Sequence, residues 1–438
     1  MRHRFIGGAV FAAAAVLAAP ATGRAQDPGL SGDQTGFYKP LAVVRGQSPA
    51  DIGGLNPPVN SYPTVPIPTG ASSAAGFYTA AEFVMLTQPR AIGNQVVAFR
   101  GLIDSTGRNS LIPGTIIGTG RPALTTEDFA RTGSSPGYML EIGYKFEDGM
   151  RFFASWMQLA QLHYKAGASL VPQYFQSGAG LADTYLSSQV YGFPPQFSGP
   201  RFKTGLDVGP PGNIGGGVVN TGFQTYGIWN GATVMNMQYT QRYQQADVGV
   251  RMPLLQTEYS RVYGIASGRF AWLFDRFQWY TLDSDILGIS LPQDQAWYTN
   301  TLSERMYGPV IGCGHEVFLA NQFSLSCDLT AGLLLGVVKE RVKYKLETFN
   351  SAGTLNPIAS KASYDSWQLV PNANANLNLQ WYPTEGVQVR VGYQAISYFN
   401  TTRMAEPVGF NYNTPDPRYE TQVFRLIHGF NVGIGLFF

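Results

Sequence analysis

Between Leu369 and Trp381 the chain alternates with a period of two. Leu369, Pro371, Ala373, Ala375, Leu377, Leu379 and Trp381 form one row, and Val370, Asn372, Asn374, Asn376, Asn378 and Gln380 form the other. A strand sends successive side chains to opposite faces, so this segment has an apolar face and an amide face. A helix would wind the asparagines among the leucines, and that option is rejected. After Pro383-Thr384-Glu385-Gly386, a turn by composition, Val387, Val389, Val391 and Tyr393 alternate with Gln388, Arg390, Gly392 and Gln394. The two strands make a hairpin with matching faces.

The same grammar recurs along the chain. Tyr138, Leu140, Ile142, Tyr144 and Phe146 alternate with Met139, Glu141, Gly143 and Lys145 before the turn Glu147-Asp148-Gly149. Phe323, Leu325, Cys327, Leu329, Ala331, Leu333 and Leu335 alternate with Ser324, Ser326, Asp328, Thr330 and Gly332. The last strand sets Phe424, Leu426, His428, Phe430, Val432, Ile434, Leu436 and Phe438 against Arg425, Gly429, Asn431, Gly433 and Gly435.

A soluble sandwich would produce the same alternation with the apolar rows turned inward. Three features favour the inverse arrangement. The strands exceed the usual soluble length of about 5–6 residues, and many exceed the roughly 9–11 needed to cross a bilayer. The polar rows carry Asn, Gln, Ser and Gly in place of Lys and Glu; charged residues are 13% of the chain against about 25% in average proteins. Trp156, Trp272, Trp279, Trp367 and Trp381 fall near strand ends, as in an interfacial girdle. The expected fold is all-β: a closed antiparallel transmembrane barrel of the outer membrane, with lipid around it.

Connection lengths supply the topology. Short turns near 147–150, 253–258, 319–322 and 383–386 alternate with long connections at 88–137, 165–237, 281–296, 347–364 and 403–419. Outer-membrane barrels alternate periplasmic turns and extracellular loops in this way. The strands between them number ten, near 77–87, 138–146, 151–164, 238–252, 261–280, 297–318, 323–346, 365–382, 387–402 and 420–438. A further hairpin around Gln95–Leu102 would make twelve.

Residues 1–25 read as a signal peptide: Arg2 and Arg4, an apolar stretch from Phe5 to Ala19, and Gly23-Arg24-Ala25 before the cleavage point. Residues 26–75, rich in Pro, Gly and Ser, read as a periplasmic leader or linker, and residues 76–438 as the barrel. Without Arg2, Arg4 and Arg24 the chain keeps 27 basic against 28 acidic residues, a balance unsuited to nucleic acid. Two cysteines and His163, His315 and His428 do not make a four-ligand metal set. No cofactor is expected.

The segment Gly137–Gly149 and the terminal strand Gly429–Phe438 resemble the β-barrel porin family of planctomycetes and, more loosely, Legionella-type major outer membrane proteins. The resemblance implies pore formation and insertion by the outer-membrane assembly machinery, with Phe438 as the assembly signal.

The leading functional expectation is a porin-like barrel passing small hydrophilic solutes. The alternatives are a non-conducting structural or surface-display barrel and, more remotely, an outer-membrane hydrolase. Ten strands enclose little space, which weakens the first. No P-loop or H-E-x-x-H occurs, and no enzyme is expected; His428, on an apolar row, is the sole hydrolase candidate. The residues expected to face the lumen are Glu82, Glu141, Lys145, Asp328, Asn372, Asn374, Asn376, Asn378 and Arg390. If the turn centres on Ala320, Cys313 lies directly opposite Cys327. The pair is then either a disulfide or two free thiols on the lipid face.

Overall fold

The computed structural model describes residues 75–104, 111–169, 185–188, 229–257, 259–283, 290, 294–319, 322–346, 358–384, 386–411 and 414–438. The expected signal peptide, and the expected leader apart from its last residue, lie outside the described residues. Ten long strands form the wall: β1 (Gly76–Thr87), β2 (Ser134–Lys145), β3 (Arg151–Leu159 and Leu162–Ser169), β4 (Val234–Gln256), β5 (Ser260–Leu282), β6 (Gln295–Leu319), β7 (Phe323–Leu346), β8 (Ile358–Thr384), β9 (Val387–Glu406) and β10 (Arg418–Phe437). Consecutive strands pair antiparallel, and β10 returns to β1, with Tyr78 opposite Phe437 and Thr87 opposite His428. The ring is closed. Where the ring is closed, peptide groups are paired and do not face hydrocarbon bare, where each would cost several kcal/mol.

The wall is uneven. Strands β4 to β8 run 23 to 27 residues, whereas β1 and β2 have 12 each. β3 breaks at Ala160 and Gln161, and both its stretches pair with β4. The extra hairpin considered near Gln95–Leu102 does not join the barrel. Val96–Arg100 instead pairs with Pro122–Thr125 and Leu186–Ser187 in a small four-stranded sheet that also holds Asn230–Ala232. Five residues are too few to cross a bilayer.

Outward and inward rows follow the alternation. On β10, Phe424, Phe430, Val432 and Ile434 are exposed, while Arg425, Ile427 and Asn431 are buried inside the ring. Tight turns on one side use the expected chemistry: Met150 N–H donates to Asp148 Oδ1 at 2.9 Å, and Gly149 takes φ 85°, a region open to glycine without strain.

The interior is layered along the barrel. In the middle, Val84 and Leu86 of β1, Met157 and Leu159 of β3, Tyr243 of β4 and Leu273 of β5 meet Met306 and Val310 of β6. Leu334 of β7, Val370 of β8, Ile396 and Tyr398 of β9 and Ile427 of β10 complete the layer, and Met139 of β2 packs against it. None of the cluster residues named from the other nine strands is more than 3% exposed. Every strand contributes, so this is a septum across the lumen. Toward the long connections a second apolar cluster forms, in which Val97, Leu124, Leu186 and Trp229 pack against Tyr239, Trp279, Tyr298 and Tyr344 of the tall wall.

The protein refolded in detergent is expected to give a β-dominated circular dichroism spectrum and to migrate faster unheated than boiled. A helical spectrum would contradict the fold.

Candidate functional site

On the turn side of the septum the inward rows enclose a cavity of about 140 Å³, with room for several waters. Most of the charged residues around it are held in pairs. Arg251 makes a bidentate contact with Glu141 (2.7 and 3.2 Å). Arg269 grips Asp247 the same way (2.7 and 3.1 Å) and also donates to Asn372 Oδ1. Arg390 meets Glu82 at 2.8 Å, and Arg261 lies 3.9 Å from Glu316. Planar guanidinium forks suit carboxylates, and pairing offsets the desolvation of charges enclosed in a narrow ring.

Arg269–Asp247 and Arg261–Glu316 lie directly opposite each other on adjacent strands, whereas Arg251–Glu141 and Arg390–Glu82 reach across an intervening strand, and in the last of these glycine explains how. Gly433 of β10 lies directly opposite Glu82 of β1 on one side and Arg390 of β9 on the other. The ion pair closes over the glycine, and a Cβ there would run into Glu82. Gly392 of β9 lies between Asn378 and Asn431, and Asn431 Nδ2 donates across it to Asn378 Oδ1 at 3.0 Å. Gly314 of β6 lies between Tyr263 and Asp328, and the Tyr263 hydroxyl donates to the Asp328 carboxylate over it. In all three places a missing side chain lets partners two strands apart meet.

The residues singled out from sequence fall as follows. Glu141, Asp328, Asn374, Asn376, Asn378 and Arg390 line the cavity. Glu82 is buried behind Arg390, and Asn372 is engaged by Arg269 and by the Ser397 carbonyl. Lys145 is buried at the turn-side end, directly opposite Arg151. Sequence reasoning missed Asp247, Arg251, Tyr263 and Arg269. The signal was present in the alternation of Gln245, Asp247, Gly249 and Arg251 with Ala246, Val248 and Val250.

Beyond the septum a second polar layer is sealed from both sides. Arg425 pairs with Asp275 at 2.8 Å, both side chains being 1% exposed. Tyr239 Oη and Gln241 Nε2 also donate to Asp275 (2.7 and 3.2 Å). Thr402 N–H donates to Glu304 at 3.0 Å.

The cysteine register is corrected. Leu319 faces Phe323, so the turn centres on position 321, and Cys313 lies opposite Leu329 while Cys327 lies opposite His315. The cysteines are diagonal neighbours on one face, a relation with a Cα spacing of about 7–8 Å, beyond the roughly 4.4–6.8 Å of a disulfide. Both thiols are free. The shift of two residues keeps each side chain on its face, which is why alternation could not reveal it. Phe438 is exposed at the turn-side rim, and its N–H donates to the Phe77 carbonyl at 2.9 Å. His428 is bonded to the Tyr393 hydroxyl at 2.6 Å. His315 Nε2 lies 3.2 Å from Ser260 Oγ, but among the described residues no carboxylate is hydrogen-bonded to the ring, as a catalytic triad requires.

A family model described as the Legionella pneumophila major outer membrane protein precursor matches residues 125–424. The chain belongs to this family. It is a β-barrel of the outer membrane. No curated protein matches it. Among solved structures it is similar to the outer membrane protease OmpT of Escherichia coli, with 11% identity, a TM-score of 0.39, and 83% of this chain and 97% of that one covered. It is also similar to the toluene transporter TodX of Pseudomonas putida (9%, 0.21, 85% and 92%) and a FadL homologue of Pseudomonas aeruginosa (8%, 0.18, 83% and 89%). Likeness at this level says nothing of shared chemistry.

Gly433→Val is expected to destabilise the barrel by about 3 kcal/mol, since it overpacks the wall and parts a buried ion pair. Arg390→Ala should cost much less in the Gly433→Val background than alone, measured by urea unfolding in detergent. Fully additive losses would show that the pair does not depend on the glycine.

Proposed function

We propose that this outer-membrane barrel is closed to free diffusion and serves the envelope as a structural, surface-displaying barrel. The observation that carries the reading is the septum. Its side chains come from every strand of the hydrogen-bonded ring, and they are packed together in the lumen out of reach of solvent. A ring of about ten strands is narrow enough for side chains alone to occlude, whereas open aqueous channels go with about 16–18. No catalytic role is proposed.

A second reading is a porin for small hydrophilic solutes. Membership of the Legionella major outer membrane protein family and the sequence likeness to planctomycete porins support it. So do the two polar layers, one lining the cavity and one beyond the septum. It requires the septum to part.

Conductance across a planar bilayer separates the two. The refolded wild-type barrel is expected to give no channel steps, and Tyr243→Ala combined with Met306→Ala, which hollows the septum, is expected to give them. Steps from the wild type would replace the first reading with the second.

We further propose Phe438 as the group read by the assembly machinery. Its side chain is exposed at the end of a strand that closes the ring. Deleting it should lower the amount of barrel in the outer membrane while leaving the conductance of refolded protein unchanged. Normal outer-membrane levels of the truncated chain would contradict this role.

A further inference from the structure

The outward row of β7 changes character abruptly. From Phe323 to Val337 it is apolar apart from Cys327, and from there it reads Lys339, Arg341, Lys343, Lys345. The inward neighbours Val338, Val342 and Tyr344 are buried, which fixes the basic row on the outside of the wall. On β8 the outward Trp367 faces Val337, and Lys361 lies directly opposite Lys343. Like charges set opposite each other across strands are unfavourable without something between them.

The change occurs at the same place on the neighbouring strands. On β6, Arg305 follows Tyr307 in the outward row and lies opposite Trp272 of β5, its guanidinium 5.9 Å from the ring. Phe274, next in the outward row of β5, carries Arg242 of β4 at 5.3 Å and Arg276 at 5.1 Å. Farther along, Lys345 sits 5.3 Å from the ring of Trp297. Cations laid against aromatic faces are a stable arrangement at the border of water and hydrocarbon. The result is a belt of eight bases over five adjacent strands. Asp365 is the one acid in those outward rows among the described residues.

The belt lies beyond the apolar band on the side of the long connections, which is the extracellular side of an outer-membrane barrel. We propose that this outer face of β4 to β8 is a docking surface for the phosphate groups of the outer-leaflet glycolipid. The charge is of the required sign, eight bases stand against the single acid Asp365, which lies opposite Lys339, among the described residues of those rows, and the belt stands at the depth of the headgroups. Arg341 and Lys343 are exposed, free to reach phosphate oxygens by charge-assisted hydrogen bonds. The inference is independent of whether the lumen conducts, because the belt is on the opposite face of the wall.

The test uses the full barrel in phosphatidylcholine vesicles doped with bisphosphorylated lipid A or with its dephosphorylated form. Native mass spectrometry of retained lipid and the unfolding midpoint are the readouts. The phosphorylated form is expected to be retained and to raise the midpoint, and the dephosphorylated form to do neither. Replacing Lys339, Arg341, Lys343 and Lys345 together by Gln should weaken retention by at least about tenfold. Lys339→Arg, Lys343→Arg and Lys345→Arg together should preserve it. Equal retention of the two lipids by the wild type would overturn the proposal without recourse to any variant, as would undiminished retention by a folded four-Gln variant.

Discussion

A narrow ring sets a constraint on the rest of this molecule: a carboxylate that points inward must find a guanidinium or a hydrogen-bond donor within reach. A wide barrel can leave inward charges to water. Here the interior is mostly filled, and an isolated ion would bear a desolvation cost of several kcal/mol. The carboxylates at positions 82, 141 and 247 are accordingly each matched to a guanidinium. Asp247 is matched straight across to Arg269 on the adjacent strand, and glycine makes the longer match of Glu82 with Arg390 feasible. Partners two strands apart must reach over the strand between them, and at Gly433 an absent side chain opens the line.

This gives three of the 51 glycines a mechanical meaning. Gly314, Gly392 and Gly433 sit in inward rows among long polar residues, where glycine weakens a strand in general. Each repays the loss with a polar contact over its own Cα. The barrel therefore couples positions that are far apart in the chain: Glu82 and Arg390 meet through a residue near the C-terminus.

The sequence carried the architecture well and the interior poorly, for one physical reason. Period-two alternation reports which face a residue takes, and alternating short and long connections report the order of strands, so the ten-strand ring was legible. Height along the barrel axis was not. Val370 reads as an exception in a row of asparagines, and Tyr243, Met306 and Ile427 look like scattered apolar residues on polar faces; only the register lines them up as a septum. The cysteine pair failed for the same reason in miniature. Composition located the turn before Phe323 without fixing its centre, and moving the centre by one residue moves the partner by two. Arg251 and Arg269 stood on strands whose alternation was visible, but their partners lie 110 and 22 residues away.

The height of the wall has a consequence outside the lumen. β8 has 27 residues, which at about 3.3 Å each and a tilt near 40° rises roughly 65–70 Å along the barrel axis. An apolar band of about 25 Å is all that hydrocarbon requires, and on β7 that band begins at the turn itself. Nearly all the surplus therefore stands on the extracellular side as a rigid collar, tall over β4 to β8 and low beside β1 and β2. A particle too broad to slip between glycolipid chains would touch this parapet well before it reached the bilayer, and would meet it from one side first.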